Sequence, residues 1–280
     1  MFFILQKEDR YNDLDIDLLT LKQELEKQKY QHEYTFMSIK DLAPSIKGYS
    51  IKNMKDAIPV GSIDFVGAFL KKFYNIENMN PIEIPNELRL DKFLNRNYSI
   101  IESKDLPKKG YYFVKDVSKL KVFSYTGEIE YLLYDEVFEE AKGMDTRLHL
   151  NKNHLYQVSE VKCILAEYRV FVVEDKIQGI QFYDGDPCIM PTPEEINKIK
   201  EMTLRYMLNP TRPKAYSLDI AIIKTNDSLG RNLMLLECHP FTSLGLYGVN
   251  GSFLPMAYRY GLDWYINHNT PIEKFEYKKN

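Results

Sequence analysis

Apolar positions in the first 90 residues switch between two periods. FFIL (2–5) is a continuous apolar run of strand length. Leu14, Leu18, Leu21 and Leu25 then recur every three or four residues within DLDIDLLTLKQELEKQKY, which predicts a charged helix with one apolar stripe. EYTFMSI (33–39) predicts a second strand. AIPVGSIDFVGAFLKKFYN (57–75) predicts a strand, a Gly-Ser turn and a helix, with Ser62 either capping that helix or holding an anion at its start. Alternating strands and helices imply an α/β layer.

From residue 96 the pattern becomes β-rich. GYYFVKD (110–116) and KVFSYTGEI (121–129) are rich in Tyr, Val and Phe, and AEYRVFVVEDKIQGIQFYDGD (166–186) reads as a hairpin around Glu174-Asp175-Lys176. TPEEINKIKEMTLRYML opens with the capping signature Thr192, Pro193, Glu195 and carries Ile196, Ile199, Met202 and Tyr206 on one face. SLDIAIIK (217–224) and NLMLLEC (232–238) form a second predicted hairpin around 226–230. Pro187, Pro191 and Pro193 mark a bend. The expected organisation is an α/β lobe over 1–95, a small β-rich lobe over 96–160 and an antiparallel-sheet lobe over 161–280.

Composition narrows the class. The 280 residues, 44% hydrophobic and 28% charged, suit a soluble globular chain with more than one lobe. A net charge of −3 gives no general attraction to nucleic acid or to an anionic membrane. Cys163, Cys188 and Cys238 are odd in number and lack metal-like spacing, which predicts a reduced, cytoplasmic setting. The opening MFFILQKED is too short and too soon charged for a signal peptide, and no stretch reads as a membrane span. Oligomeric state leaves no mark in the pattern.

The candidate chemistry sits where apolar runs end. LMLLECHP delivers Glu237 and His239 directly after four apolar residues, and alternation puts both on one strand face. Asp219 interrupts the apolar SLDIAIIK, and a turn near Ser228 sets it opposite Glu237. Two facing carboxylates repel unless a cation lies between them, and Mg²⁺ suits such a pair. The competing reading pairs Asp219 with a basic side chain and leaves Glu237 in water. In EYRVFVV, Glu167 and Arg169 share a face, so Arg169 is neutralised either by Glu167 or by an anionic ligand. Lys115 ends the YYFVK strand as an anion contact or a solvated edge residue. Lys121 is ambiguous in the same way, and Ser124, Thr126 and Gly127 are candidates for a turn presenting N–H groups to phosphate. Cys238 points away from Glu237 and His239 and reads as a buried filler.

A lysine strand, an E-x-R strand, an Asp strand and a strand ending E-C-H-P, in this order, resemble the ATP-grasp superfamily. FVKD resembles its lysine-bearing strand, VSEVKCILAEYRVFVV its hinge and following strand, and SLDIAII with LMLLECHP its two metal-binding strands. The similarity spans about 96–250 and is greatest to a divergent subgroup frequent in bacteriophage genomes, which places the protein in the cytoplasm of a host cell. It implies an N-terminal α/β lobe followed by two β-rich lobes clasping ATP. It also implies joining of a small-molecule or peptide carboxylate to an amine through an acyl-phosphate. Lys115, and less directly Lys121, would meet the phosphates; Glu160, Val161 and Lys162 would line the hinge beside the adenine, near Glu167. Arg169 would stabilise the transferred phosphoryl group. Arg212 and Lys214 would hold the substrate carboxylate, and SLGLYG (243–248) would form a loop near the acceptor site. Asp219 and Glu237 would hold Mg²⁺, with His239 either a third ligand or a hydrogen-bonding neighbour. The family usually has Asn there, and imidazole is the poorer Mg²⁺ ligand. A catalytically silent nucleotide-binding module and a small-molecule kinase are the alternatives.

Overall fold

The computed structural model describes residues 1–6, 16–35, 55–118, 124–133, 150–151, 153–225, 230–271 and 273–277. Leu14, positions 36–39, Lys121 and the turn 226–229 lie outside the described residues.

The N-terminal sheet is parallel throughout. β1 (Phe2–Gln6) lies between β2 (Gln31–Thr35) and β3 (Ala57–Val60). Parallel neighbours need a crossover, and α1 (Ile16–Lys27) lies in the one from β1 to β2. α1 buries Leu21 and Leu25, the inner part of the predicted stripe. α2 (Ile63–Tyr74) follows β3 and buries Phe65, Val66, Phe69 and Leu70. Ser62 is its N-cap, with Oγ accepting the Phe65 N–H at 3.2 Å.

The middle sheet is antiparallel. Its strands β4 (Tyr98–Glu102), β5 (Tyr111–Asp116), β6 (Ser124–Glu128) and β7 (Leu155–Glu160) lie in the order β4-β7-β5-β6. Ser124, Thr126 and Gly127 therefore belong to a strand and not to a phosphate-binding turn, because their backbone groups are committed to pairing with β5.

The third sheet holds the four longest strands, β8 (Ile164–Val173), β9 (Lys176–Gly185), β10 (Ala215–Lys224) and β11 (Arg231–Pro240), in the order β11-β10-β8-β9. The β8–β9 turn is the pair Glu174-Asp175, both left-handed at φ 48° and 64°, and Lys176 already opens β9. Left-handed pairs of this kind match the twist of a hairpin. α3 (Pro193–Tyr206) links β9 to β10 behind the predicted capping box, Glu195 N–H to Thr192 Oγ1 at 3.2 Å and Thr192 N–H to Glu195 Oε2 at 2.7 Å. α4 (Leu254–His268) follows β11, and the last strand, β12 (Phe275–Tyr277), returns to the middle sheet beside β4.

The two faces of the third sheet have separate fates. Tyr168, Val170, Val172, Leu218, Ile220 and Ile222 pack with Ile199, Met202 and Tyr206 of α3. On the opposite face Phe171, Val173 and Ala215 join the core shared by the N-terminal sheet and α4. Further along that same face the side chains turn charged. There the sheet leaves its cover and meets the cleft beneath the middle sheet. Among the described residues no helix is long and apolar enough to cross a membrane.

Candidate nucleotide and metal site

One cross-strand row carries the charges. Asp219 on β10 pairs with Glu237 on β11 to one side and with Arg169 on β8 to the other. Strict alternation after Leu233 and Leu235 would send Glu237 into the core. A β-bulge prevents this: Asp219 pairs with Glu237 while Ile220 pairs with Leu235, so Leu236 is the extra residue. Leu235 and Cys238 then face the core, and Leu236, Glu237 and His239 face the cleft.

Asp219, 1% exposed, accepts two parallel bonds from Arg169, Nε to Oδ1 at 2.7 Å and Nη2 to Oδ2 at 2.6 Å. Arg169 thus takes Asp219 as its partner and not Glu167, whose Oε2 accepts the Tyr183 hydroxyl. Lys115 reaches down from β5 to Glu237 Oε2 and ties the middle sheet to the third. His239 Nε2 lies 3.0 Å from Glu237 Oε1 and 3.6 Å from Asp219 Oδ2. Burial works against charge on all these groups, and proximity overrules it. Glu237 is held well below the usual carboxylate range by His239 and Lys115, and Asp219 is lowered by Arg169 and His239. The two carboxylates in turn push His239 up to about 9. Both readings of the sequence hold together: Asp219 faces a second carboxylate and also pairs with a basic side chain.

Two adjoining cavities meet at this row, with Phe113 and Glu237 lining both. The first, about 310 Å³, is lined by Met234, Leu236, Ile164 and Val161, with Glu160 and Lys162 at the β7–β8 connection and Glu167 beside Tyr183. Glu160 is held by Lys162 at 2.7 Å and by the Asn97 amide at 2.6 Å. The second, about 500 Å³, is bounded by Lys115, Arg169, His239, Ser243, Gly245 and Tyr247. Both volumes are typical of small-molecule sites.

Arg212 and Lys214 line neither cavity. Arg212 is locked in a two-bond pair with Asp175 of the β8–β9 turn, at 2.8 and 2.6 Å, and Lys214 lies 5.5 Å from the Tyr260 ring. Their expected contact with a substrate carboxylate is corrected accordingly.

Three contributors escaped the sequence pattern. Arg96 is 2% exposed and lines the first cavity; Nη2 donates to the Leu236 carbonyl at 2.9 Å, whereas Nε and Nη1 have no partner. Burial lowers its pKa to about 10. Its neighbours Asn95 and Asn97 gave it the look of a solvated turn. Tyr183 and Tyr247 stack at 5.2 Å, with the Arg169 guanidinium 5.4 and 5.2 Å from their rings. The distance in sequence between these tyrosines left no signal.

The donor set of Asp219, Glu237 and His239 lies within 4.8 Å, close enough to share one ion. Two carboxylate oxygens fit a divalent cation such as Mg²⁺, and the third donor is a ring nitrogen.

Comparison with known proteins agrees with this geometry. Crystal structures with the same fold include the D-cycloserine synthetase DcsG, at TM-score 0.54 and 9% identity over 94% of this chain and 99% of that one. A D-alanine–D-alanine ligase from Bacillus anthracis matches at TM-score 0.50 and 12% identity, over 96% and 100% of the two chains. No curated protein matches in sequence. Residues 93–253 match a family model described as an ATP-grasp domain, the second family of its clade, and this span, more than half of the chain, makes it a member of the ATP-grasp superfamily.

Proposed function

We propose that the chain is an ATP-dependent ligase that joins a carboxylate to an amine on a small molecule or peptide, with Mg²⁺ as the expected ion. The observation that carries this reading is the convergence of Lys115, Arg169, Asp219 and Glu237 at the junction of an apolar-floored cavity and a polar one. Met234 and Leu236 offer the first cavity's apolar surface to a nucleoside base, and the Glu160–Lys162 connection offers backbone groups at its edge. Arg96 presents two unpartnered donors to the same cavity, the arrangement a bound phosphate or ring acceptor would satisfy.

Asp219 and Glu237 would hold the divalent ion, which supplies charge neutralisation to the phosphate oxygens when bound. Lys115 and Arg169 place positive charge where the transferred group would pass. Asp219 fixes the Arg169 guanidinium through two bonds and the two tyrosine rings flank it, so Arg169 is oriented before substrate arrives. The second cavity, bordered by 242–247, has room for the acceptors. No nucleophilic side chain is required, because phosphoryl and acyl transfer of this kind depends on positioning and charge.

A second reading, a nucleotide-binding module without turnover, is favoured by one observation. Lys115, Arg169 and His239 already neutralise both carboxylates. Incubation with ATP, Mg²⁺ and pooled amino acids and short peptides separates the two. Phosphate release that needs both a carboxylate and an amine acceptor is expected. Binding of ATP without release across the panel favours the module, and a stable phosphorylated product would mark a kinase.

A further inference from the structure

We propose that Asp219, Glu237 and His239 form a metal centre with two oxygen ligands and one nitrogen ligand, selecting a borderline divalent ion such as Mn²⁺ or Co²⁺ over Mg²⁺. The inference deepens the nucleotide-site reading above and rests on it for the ion's partner phosphates.

Three features carry it. First, the backbone fixes the donors. Glu237 and His239 lie two residues apart on β11, His239 opposite Ser217 and Glu237 opposite Asp219, so all three project from one face of a paired ladder. Second, the ring nitrogen is aimed at the carboxylates and not at solvent. Nε2 lies 3.0 Å from one carboxylate oxygen and 3.6 Å from the other, and the His239 side chain is only 15% exposed. An ion on this spot meets nitrogen as well as oxygen. Third, Asp219 cannot wrap around an ion. Both of its oxygens accept from Arg169, which limits it to one shared oxygen and leaves the site few protein oxygens.

Mg²⁺ prefers an all-oxygen octahedron with short bonds and gives up water reluctantly. Imidazole suits first-row transition ions, whose affinity for a given nitrogen and oxygen set rises from Mn²⁺ through Co²⁺. Replacing the imidazole by an amide oxygen should reverse that preference.

Pulsed electron paramagnetic resonance of Mn²⁺ on the wild-type protein tests the claim without any variant. Modulation from a directly bound nitrogen, shifted when histidine is labelled with ¹⁵N, is expected; its absence overturns the inference. A Co²⁺ titration followed by visible absorption adds a second readout. His239→Asn should bind Co²⁺ at least tenfold more weakly while its Mg²⁺ affinity is kept or improved. Equal Co²⁺ affinity in the two proteins, once the variant is shown to be folded, also overturns it. Both titrations are run with and without ATP. If ATP stabilises the fold but no nitrogen signal appears, the metal inference fails and the nucleotide reading stands. If nitrogen-bound Mn²⁺ appears but ATP gives no stabilisation, the reverse holds.

Discussion

Asp219 serves two partners, and that dual role decides how it can be probed. Substituting it by Asn removes an ion ligand and also strands the buried Arg169 charge. Removing one member of a buried pair costs about 3–5 kcal/mol. Asp219→Asn is therefore expected to lower the unfolding free energy by that amount in denaturant titration. Glu237 is about a third exposed (side chain 32%) and keeps no such dependent, so Glu237→Gln should weaken divalent-ion binding with little loss of stability. Equal destabilisation by the two substitutions would contradict the pairing. His239 supplies a pH test. Its folded-state pKa of about 9 lies above the ordinary 6.5, so its contribution is complete below about 6.5 and is lost as pH rises through 9. Asp219 and Glu237 have lowered values, so theirs are lost only in acid. Without added metal, the stability advantage of wild type over His239→Asn should shrink by about 1–3 kcal/mol between pH 6 and pH 10. Thermal unfolding across that range checks it, and a constant difference would contradict it.

At the scale of elements, the strands that carry the site were legible because their chemistry interrupts an apolar run. Asp219 within SLDIAIIK and Glu237 after LMLL could be set opposite each other by counting from a turn, and they pair as counted. The bulge at Leu236 left no such mark, since it depends on tertiary packing. Without it, the count that made Glu237 and His239 share a face would have conflicted with Leu233 and Leu235 lining the core. Arg212 and Lys214 misled because adjacency in sequence to the Asp strand was taken for adjacency in space. A ten-residue strand separates its two ends widely, and Arg212 is claimed by the hairpin turn at Asp175. The capping box of α3, a purely local signal, was read correctly. Helix α4 shows a constraint no local pattern reveals. A Cβ at Gly261 would lie 2.0 Å from the Phe241 carbonyl oxygen, so the helix lies directly on the chain leaving β11. Gly261→Ala should cost about 1–3 kcal/mol by overpacking, measured by denaturant unfolding. A neutral effect would show that this contact yields freely.

For the whole molecule, the three sheets have different tasks. The N-terminal sheet and α4 cover one half of a face of the third sheet, and the middle sheet roofs the other half through Lys115. The cleft is thus the place where one continuous sheet face passes from core to solvent, which is why apolar and charged residues alternate with such short spacing in EYRVFVV and LLECHP. That change of environment was visible in sequence as charges inside apolar runs; the roof and its Arg96 contact were not, because they join residues far apart. The central claim is that this cleft binds a divalent-ion–ATP complex. A ligand that binds only the folded state stabilises it by about 2.7 kcal/mol at a hundredfold excess over its dissociation constant. Thermal unfolding with millimolar ATP and Mg²⁺ or Mn²⁺ is therefore the most direct measurement. The account predicts a rise in Tm for wild type that is largely lost in Glu237→Gln, and an unchanged wild-type Tm with either ion would contradict it.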